Sequence, residues 1–288
     1  MEHVRLPDGR RLAYEQGGDT AGAVAFYFHG WPGSRIEARL FEEEAARHGV
    51  RVVALDRPGI GGSDPQSGRR IVDWPRDVED AAAALGFERY AVFGYSAAGP
   101  YVAACAALRP RGLVGAAMIA GLAPFTRDRA RGRAVRMRMV DRVARYAPWM
   151  LPPMLRGMGR QAHETPEKLL ARVEASMPAT DREALRLERY RLIMVDTIAE
   201  STRQGGRWCA LEHALATRPW GFDLSEVRVP LALFQGSADT AVPVAMARAY
   251  AAATPYATVH EYEGAGHLSI VPRAADDMMR FLAKLLAV

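Results

Sequence analysis

The chain has 288 residues, of which 49% are hydrophobic and 25% are charged. This length and composition are sufficient for one large α/β domain with an insertion, and they are not those of a disordered, fibrous or membrane-spanning protein. Residues 1–8 lack the apolar segment of a signal peptide, so we expect a soluble, cytoplasmic protein. The net charge is +5, but no basic run is interleaved with aromatic residues, which argues against nucleic-acid binding.

The two cysteines, Cys105 and Cys209, lie in apolar segments without metal-ligand spacing around them. We predict that both are buried free thiols, and we expect neither a metal nor another cofactor. The expected partner is a small-molecule substrate, not nucleic acid or a membrane. The sequence leaves the oligomeric state open.

A β-hairpin is predicted at residues 6–14, where Asp8 and Gly9 form a turn between two short alternating segments. Continuous apolar strands then alternate with helices, a pattern typical of a parallel sheet covered on both faces. The predicted strands are 23–28, 50–55, 90–93, 113–121, 229–236 and 258–262. The predicted helices are 35–48, 72–85, 100–108, 244–253 and 274–286.

This alternation stops after residue 123. From residue 124 to about 220 the sequence shows only helical periodicity, together with seven of the twelve methionines. We therefore interpret residues 1–123 and 223–288 as two parts of one core, and residues 124–222 as an inserted helical segment. The predicted fold class is α/β, with a mostly parallel, twisted sheet flanked by helices and an α-helical insertion.

The most informative segment is residues 94–99, Gly-Tyr-Ser-Ala-Ala-Gly, which lies between a predicted strand and a predicted helix. A serine at the apex of such a turn adopts a strained backbone conformation, because the residues two positions away must be small enough for strand and helix to approach. The hydroxyl of Ser96 is then exposed as a candidate nucleophile. The strict pattern has glycine where this chain has Ala98, and a glycine follows at Gly99.

A serine hydroxyl is a weak nucleophile, so it needs a histidine to accept its proton and a carboxylate to orient that histidine. His267 lies in a glycine-bracketed loop after the last predicted strand, and Asp239 follows the preceding strand. All three side chains are expected at the carboxyl edge of the sheet. Asp128 also follows a strand and is the alternative acid, but we prefer Asp239 because its strand directly precedes that of His267.

Attack on a carbonyl also requires donors for the oxyanion that forms. The candidates are the backbone N–H groups of Ala97, directly after the nucleophile, and of Trp31, in the loop after the third strand. His29 and Gly30 would turn this loop toward Ser96. Because only a backbone donor is needed, we expect His29 itself to have a structural role.

Taken together, the chain resembles the α/β-hydrolase fold superfamily along nearly its whole length. The motifs that carry the resemblance are residues 29–33, 56–64, 94–99, 236–243 and 264–267. The resemblance implies that Ser96, Asp239 and His267 are nucleophile, acid and base, and that the insertion corresponds to the family's cap domain. The chain departs from the family pattern at Ala98, where the pattern has glycine. This difference affects how closely the strand and the helix approach each other, and it does not affect the assignment of the nucleophile.

The resemblance favours a carboxylester hydrolase that forms an acyl-enzyme. Haloalkane dehalogenases and epoxide hydrolases of the fold use an aspartate at the position of Ser96, and hydroxynitrile lyases use a lysine that has no counterpart near the predicted loops. A peptidase, thioesterase, carbon–carbon bond hydrolase or perhydrolase stays open, because the same three residues serve each of them. A ligand receptor with slow or absent turnover, or a biosynthetic enzyme that rearranges its substrate, is the alternative from another class.

The insertion also suggests a substrate. Ten arginines and two aspartates lie between residues 127 and 160, while Val135, Met139 and Val143 recur on one face of a predicted amphipathic helix. One interpretation is that this face packs on the core and the arginines are solvated. The other is that methionines line an apolar channel above Ser96, with arginines attracting an acidic group. The proposed lining residues are Met137, Met139, Met150 and Met154.

Overall fold

A computed structural model describes residues 1–126, 128 and 130–287. Its strands are β1 (Glu2–Arg5), β2 (Arg11–Gly18), β3 (Ala23–Phe28), β4 (Val50–Leu55), β5 (Tyr90–Tyr95), β6 (Leu113–Ile119), β7 (Leu231–Gly236) and β8 (Ala257–Tyr262). They form one sheet in the order β1-β2-β4-β3-β5-β6-β7-β8. The β1–β2 and β2–β4 pairs are antiparallel, and all other pairs are parallel. The predicted α/β class with a mostly parallel sheet is thereby confirmed.

Eleven α-helices are present among the described residues. They are α1 (Glu42–Arg47), α2 (Trp74–Ala84), α3 (Gly99–Leu108), α4 (Val135–Tyr146), α5 (Leu151–Glu164), α6 (Pro166–Ala175), α7 (Ala179–Ala184), α8 (Glu188–Ser201), α9 (Gly206–Ala216), α10 (Val244–Ala253) and α11 (Val271–Ala287). None of these helices, as far as the chain is described, combines the length and the apolar character needed to cross a membrane.

The central strands are buried on both faces, as their continuous apolar sequences predict. Along β3, Phe26 and Phe28 belong to a cluster that includes side chains of α2, α3 and α10. Ala25 and Tyr27 alternate with them and belong to a second cluster, which includes side chains of α1 and α11. Period-two alternation thus places successive residues in two cores, one on each side of the sheet.

The helix predicted at 35–48 differs from the structure in its first half. Residues Arg35–Phe41 form a 3₁₀ segment, and α1 begins only at Glu42. The guanidinium of Arg35 contacts Asp56 and Glu200 at 2.6 Å each, and its backbone N–H donates to Asp56 at 2.7 Å. This buried ion pair fixes the first turn through residues distant in sequence, which local periodicity does not reveal.

Between β6 and β7 the described residues form helices α4 to α9 and no strand, as expected for a helical insertion. Helix α8 packs against the Arg35–Phe41 segment, where Thr197 Oγ1 accepts the Ser34 N–H at 2.8 Å. The inserted helices therefore contact the loop that follows β3, at the carboxyl edge of the sheet. The limits of the insertion at residues 124 and 222 stay an interpretation.

Candidate active site

The turn after β5 has the backbone geometry expected of a nucleophile. Ser96 has φ +56°, the left-handed region that a side chain rarely adopts, directly between β5 and the start of α3. A Cβ on Gly94 would lie 2.5 Å from the Ala98 Cβ, and one on Gly99 would lie 2.3 Å from the Leu122 carbonyl oxygen. Gly94 and Gly99 thus allow the close approach, and the fully buried methyl of Ala98 fits beside them.

The structure brings the three predicted side chains into one hydrogen-bonded series. His267 Nε2 lies 2.9 Å from Ser96 Oγ, and His267 Nδ1 lies 2.7 Å from Asp239 Oδ2. The imidazole is 20% exposed, whereas the Asp239 carboxylate is fully buried. The alternative acid, Asp128, is exposed beside Arg131 and Arg138, so the geometry favours Asp239.

Asp239 is itself held in place by three donors. Its Oδ1 accepts the N–H groups of Ala241 at 2.8 Å and Val242 at 2.7 Å. Gln235 Nε2 donates to Oδ2 at 3.2 Å. Four donors, counting His267, stabilise the ionised carboxylate in a fixed orientation.

Several charges act on the imidazole of His267. Burial and the charge of Arg133 lower its pKa, but the facing Asp239 carboxylate and the charge of Asp181 outweigh them, so the pKa is raised above its usual value. The ring also stacks on Tyr95, with 5.0 Å between centroids, and the Tyr95 hydroxyl donates to the His267 carbonyl at 3.0 Å. The position and the protonation of this side chain are thus set by residues from four segments, namely Tyr95, Asp239, Arg133 and Asp181.

The loop after β3 brings backbone donors near Ser96. The Gly30 N–H donates to Glu37 Oε2 at 2.6 Å, which also accepts the Tyr27 hydroxyl at 2.5 Å. Outside the hydrogen bonds internal to helices and strands, none among the described residues engages the N–H of Trp31 or of Ala97. The Gly30 donor is occupied, and the N–H groups of Trp31 and Ala97 stay the predicted donors of an oxyanion hole.

The side chain of Trp31 connects the loop after β3 to the helical insertion. Its Nε1 donates to the Cys209 carbonyl of α9 at 2.6 Å, and its ring stacks on His213 with 4.1 Å between centroids. His213 Nε2 in turn lies 2.9 Å from Asp141 of α4, which forms a salt bridge with Arg133 at 2.7 Å. The insertion therefore fixes the Trp31 loop through α9 and α4.

His29 has no catalytic geometry. It is buried, and burial together with the neighbouring Arg57 lowers its pKa to about 3, so the ring is neutral. Arg57 donates to the His29 carbonyl at 2.9 Å and pairs with Glu212 of α9, which also pairs with Arg69. Burial alone would raise the pKa of Glu212, but the two guanidinium groups lower it to about 2. The expectation of a structural role for His29 agrees with this network.

Sequence reasoning did not identify Glu37, Asp181, Glu212 or His213 as parts of the site. Glu37 is buried, and burial raises the pKa of its carboxyl group despite the Tyr27 and Gly30 hydrogen bonds. Its position seven residues after the Gly30 turn carries no recognisable pattern. In the described ranges, no three His, Cys, Asp or Glu side chains form a group that could hold a metal ion. Both cysteines are buried free thiols, as predicted.

The predicted methionine channel does not match the placement of its residues. Met139 is 61%, Met150 59% and Met154 42% exposed, so all three are surface residues, while Met137 is half-buried. Helix α4 is amphipathic, but Val140, Val143 and Ala144 form its inward face, and Val135 is 63% exposed. The sequence periodicity identified the helix but assigned Val135 and Met139 to the wrong face.

The arginines of this segment are mostly solvated, with one exception. The side chain of Arg133 is 1% exposed, and its Nη1 has no hydrogen-bond partner among the described residues. Two of the ten arginines, Arg127 and Arg129, lie outside the described residues. Of the described arginines in the segment, Arg133 is thus the buried cation near the site.

Comparison with known proteins places this geometry in a family. The sequence profile of the alpha/beta hydrolase fold matches residues 26–274. A non-heme chloroperoxidase from Streptomyces lividans is 31% identical over 128 residues, which are 43% of this chain and 45% of that protein. A proline iminopeptidase from Xylella fastidiosa is 34% identical over 96 residues, 32% of this chain and 30% of that protein. The matched regions thus span less than half of these curated relatives.

The fold is also found in solved structures. An enol-lactonase from Burkholderia xenovorans LB400 aligns with a TM-score of 0.69 at 18% identity, covering 100% of both chains. At this identity the likeness is one of fold. Because the family profile matches most of the chain and the fold agrees with it, this chain belongs to the alpha/beta hydrolase fold family.

Proposed function

We propose that this protein is a serine hydrolase that cleaves a carboxylic ester or a related acyl bond of a small molecule through an acyl-enzyme. The observation that carries the proposal is the series Asp239–His267–Ser96, with contacts of 2.7 and 2.9 Å and with Ser96 held at φ +56°. A hydroxyl in hydrogen-bond reach of an imidazole, itself oriented by a buried carboxylate, is the arrangement that activates serine.

In the acylation step, Ser96 Oγ attacks the carbonyl carbon while His267 Nε2 accepts the hydroxyl proton. Asp239 remains ionised and stabilises the imidazolium. The N–H groups of Trp31 and Ala97 donate to the oxyanion of the tetrahedral intermediate, each contributing about 3 kcal/mol if they act as such donors typically do. The bond to the leaving oxygen then breaks, and His267 gives that oxygen its proton.

Deacylation reverses the roles of the same groups. Water attacks the acyl-enzyme carbonyl as His267 Nε2 accepts one of its protons, and the second tetrahedral intermediate uses the same two N–H donors. The bond to Ser96 Oγ breaks, and His267 returns the proton to the serine. The acid product leaves and the free enzyme is restored.

The substrate is expected to combine an apolar part with an acidic group. Arg133 supports this proposal, because its buried Nη1 has no hydrogen-bond partner among the described residues, although the guanidinium pairs with Asp141, and because its charge influences His267. Beside it, a cleft of about 350 Å³ is lined mainly by apolar atoms of Phe125, Val135 and Met139 and by Arg138. The Arg133 guanidinium lies over the Phe125 ring at 5.3 Å, so the cleft and the buried cation adjoin.

The test is intact-mass detection of a fluorophosphonate adduct, followed by turnover of esters of graded acyl length. Wild-type protein should gain one adduct, and Ser96→Ala should gain none and lose several powers of ten in kcat. A Ser96→Ala variant that keeps most of its activity would contradict the serine mechanism. Thermal stabilisation by a small molecule without turnover would instead favour a ligand receptor.

A second candidate reaction is perhydrolysis, in which hydrogen peroxide replaces water in the attack on the acyl-enzyme. The similarity to a non-heme chloroperoxidase favours it, although that match spans 43% of this chain. The products would be a peracid and the regenerated Ser96 hydroxyl. Peracid formation from an ester and peroxide by wild-type protein, absent in Ser96→Ala, distinguishes this reaction from hydrolysis alone.

A further inference from the structure

One carboxylate of the helical insertion reaches the loop that carries His267. Asp181 lies in the first turn of the short helix α7, and it is only 3% exposed although most charged residues around it face solvent. It is 86 residues from His267 in the sequence. A buried carboxylate is costly unless it is fully hydrogen-bonded, so its partners indicate its role.

Among the described residues, all hydrogen-bond donors to the Asp181 carboxylate belong to the His267 loop. Oδ2 accepts the His267 N–H at 3.1 Å, and Oδ1 accepts the Leu268 N–H at 2.9 Å. Oδ1 also accepts the N–H and the hydroxyl of Ser269 at 3.0 and 3.1 Å. A Cβ on Gly266 would lie 2.3 Å from Oδ1, so the loop needs glycine there to approach the carboxylate.

A purely local role for Asp181 does not explain these contacts. Acidic residues in the first turn of a helix commonly interact with the free N–H groups of their own helix. Here α7 has no side-chain cap, and the carboxylate instead binds three consecutive N–H groups of another segment. Each of these is a charge-assisted hydrogen bond, which is stronger than a neutral one.

We infer that Asp181 is a positioning residue, through which the helical insertion holds the backbone of His267 so that its imidazole faces both Ser96 and Asp239. The inference rests on the proposed function, because it takes His267 as the general base. The Ser96 and Asp239 contacts constrain only the ring, whereas Asp181 constrains the backbone from which the ring projects. A displacement of about 1 Å in such a group costs up to about 10²-fold in rate.

The charge of Asp181 provides a second, independent readout. The charged or titratable groups around His267 come from the β5 end, the loop after β3, the loop after β7 and the insertion. They are Tyr95, Glu37, Asp239, Arg133 and Asp181. Burial and Arg133 lower the pKa of His267 while Asp239 and Asp181 raise it, so neutralising Asp181 should move this pKa downward.

The experiment compares Asp181→Asn, Asp181→Glu and the control Glu183→Gln in the full chain. Glu183 is an exposed residue of the same helix, and its substitution removes the same charge without touching the His267 loop. Each kcat is calculated per active site, as counted by titration with a fluorophosphonate, so that misfolded protein does not lower the value. Exchange of amide hydrogens is measured by mass spectrometry in peptides that cover residues 263–271.

In Asp181→Asn we expect kcat to fall about 10- to 100-fold with KM changed less than about threefold. The acid limb of the kcat/KM profile should move to lower pH, and the amides of residues 267–269 should exchange faster. Asp181→Glu should keep the acid limb near that of wild type because it keeps the charge, and it should lose less kcat. Glu183→Gln should match wild type in every measurement.

Two results would overturn this inference and leave the proposed function intact. One is wild-type kcat per titrated site and an unmoved acid limb in Asp181→Asn; the other is unchanged amide exchange at residues 267–269. If Asp181→Asn does not fold, faster amide exchange at residues 267–269 in Asp181→Glu with a wild-type kcat has the same meaning, because the backbone would then be loosened without loss of rate. If wild-type protein forms no fluorophosphonate adduct, the proposed function fails, and the positioning role falls with it.

Discussion

Substitution of Asp239 by asparagine tests whether the orientation of His267 limits the reaction. Oδ1 of Asp239 accepts two backbone N–H groups, at 2.8 Å from Ala241 and 2.7 Å from Val242. An asparagine keeps both bonds only when its carbonyl oxygen takes the Oδ1 position. Its NH₂ group then occupies the Oδ2 position, where it faces His267 Nδ1, which must act as acceptor.

The expected loss of kcat follows from the histidine tautomer that this arrangement selects. A neutral His267 that accepts at Nδ1 carries its proton on Nε2, so it cannot take the proton of Ser96. The equivalent change in a serine protease triad lowers kcat about 10⁴-fold. That ratio corresponds to about 5 kcal/mol of activation free energy. We expect a loss of this order in Asp239→Asn, together with a lower pKa of His267, since the carboxylate that raised it is gone.

The assay is the pH dependence of kcat/KM for an activated ester, with Asp128→Asn as the matched control. The base must be neutral to accept a proton, so activity rises as the pH passes the pKa of His267. In Asp239→Asn this limb should move to lower pH, and in Asp128→Asn both rate and limb should stay as in wild type because Asp128 is exposed. A loss of less than tenfold in Asp239→Asn, or a larger loss in Asp128→Asn, would refute the assignment.

Two further predictions concern the insertion and the turn. For an ester with a distal carboxylate, kcat/KM should fall more steeply with ionic strength than for its neutral isostere. Arg133→Gln should remove this difference between the two esters, and parallel salt dependences in wild type would contradict an acidic substrate. Gly99→Ala should lower the free energy of unfolding by about 1–3 kcal/mol, because its Cβ meets the Leu122 backbone. In Gly157→Ala the added Cβ meets nothing within 4 Å, so this control should raise the free energy of unfolding by about 0.5–1 kcal/mol. Both values are measured by chemical denaturation, and equal effects of the two substitutions would contradict a close contact at Gly99.

The sheet and the three candidate catalytic residues were predictable because each depends on a short stretch of sequence. Strand, turn and helix around Ser96 lie within about twenty residues, and parallel strands bring Asp239 and His267 to the same edge. The helix predicted at 244–253 has the bounds of α10 (Val244–Ala253). Local pattern and global fold agree in these segments.

The supporting residues were not predictable because their partners are remote. Asp181 and His267 are 86 residues apart, and Arg57 and Glu212 are 155 apart. Periodicity also does not show which side of a helix meets the rest of the protein. It predicts Met139 in an apolar channel above Ser96, whereas Met139 is exposed and lines a surface cleft. In each case tertiary contacts decide what the local sequence leaves open.

The attachment of Trp31 to α9 has a consequence for engineering this scaffold. Substrate range in a protein of this kind is commonly thought of as a property of the exchangeable helical segment, and rate as a property of the sheet. Here the indole hydrogen bond to Cys209 and the stack on His213 make the loop that carries one proposed oxyanion donor depend on that segment. A chimera that receives foreign helices would therefore inherit an altered backbone at Trp31, unless α9 is retained as part of the recipient.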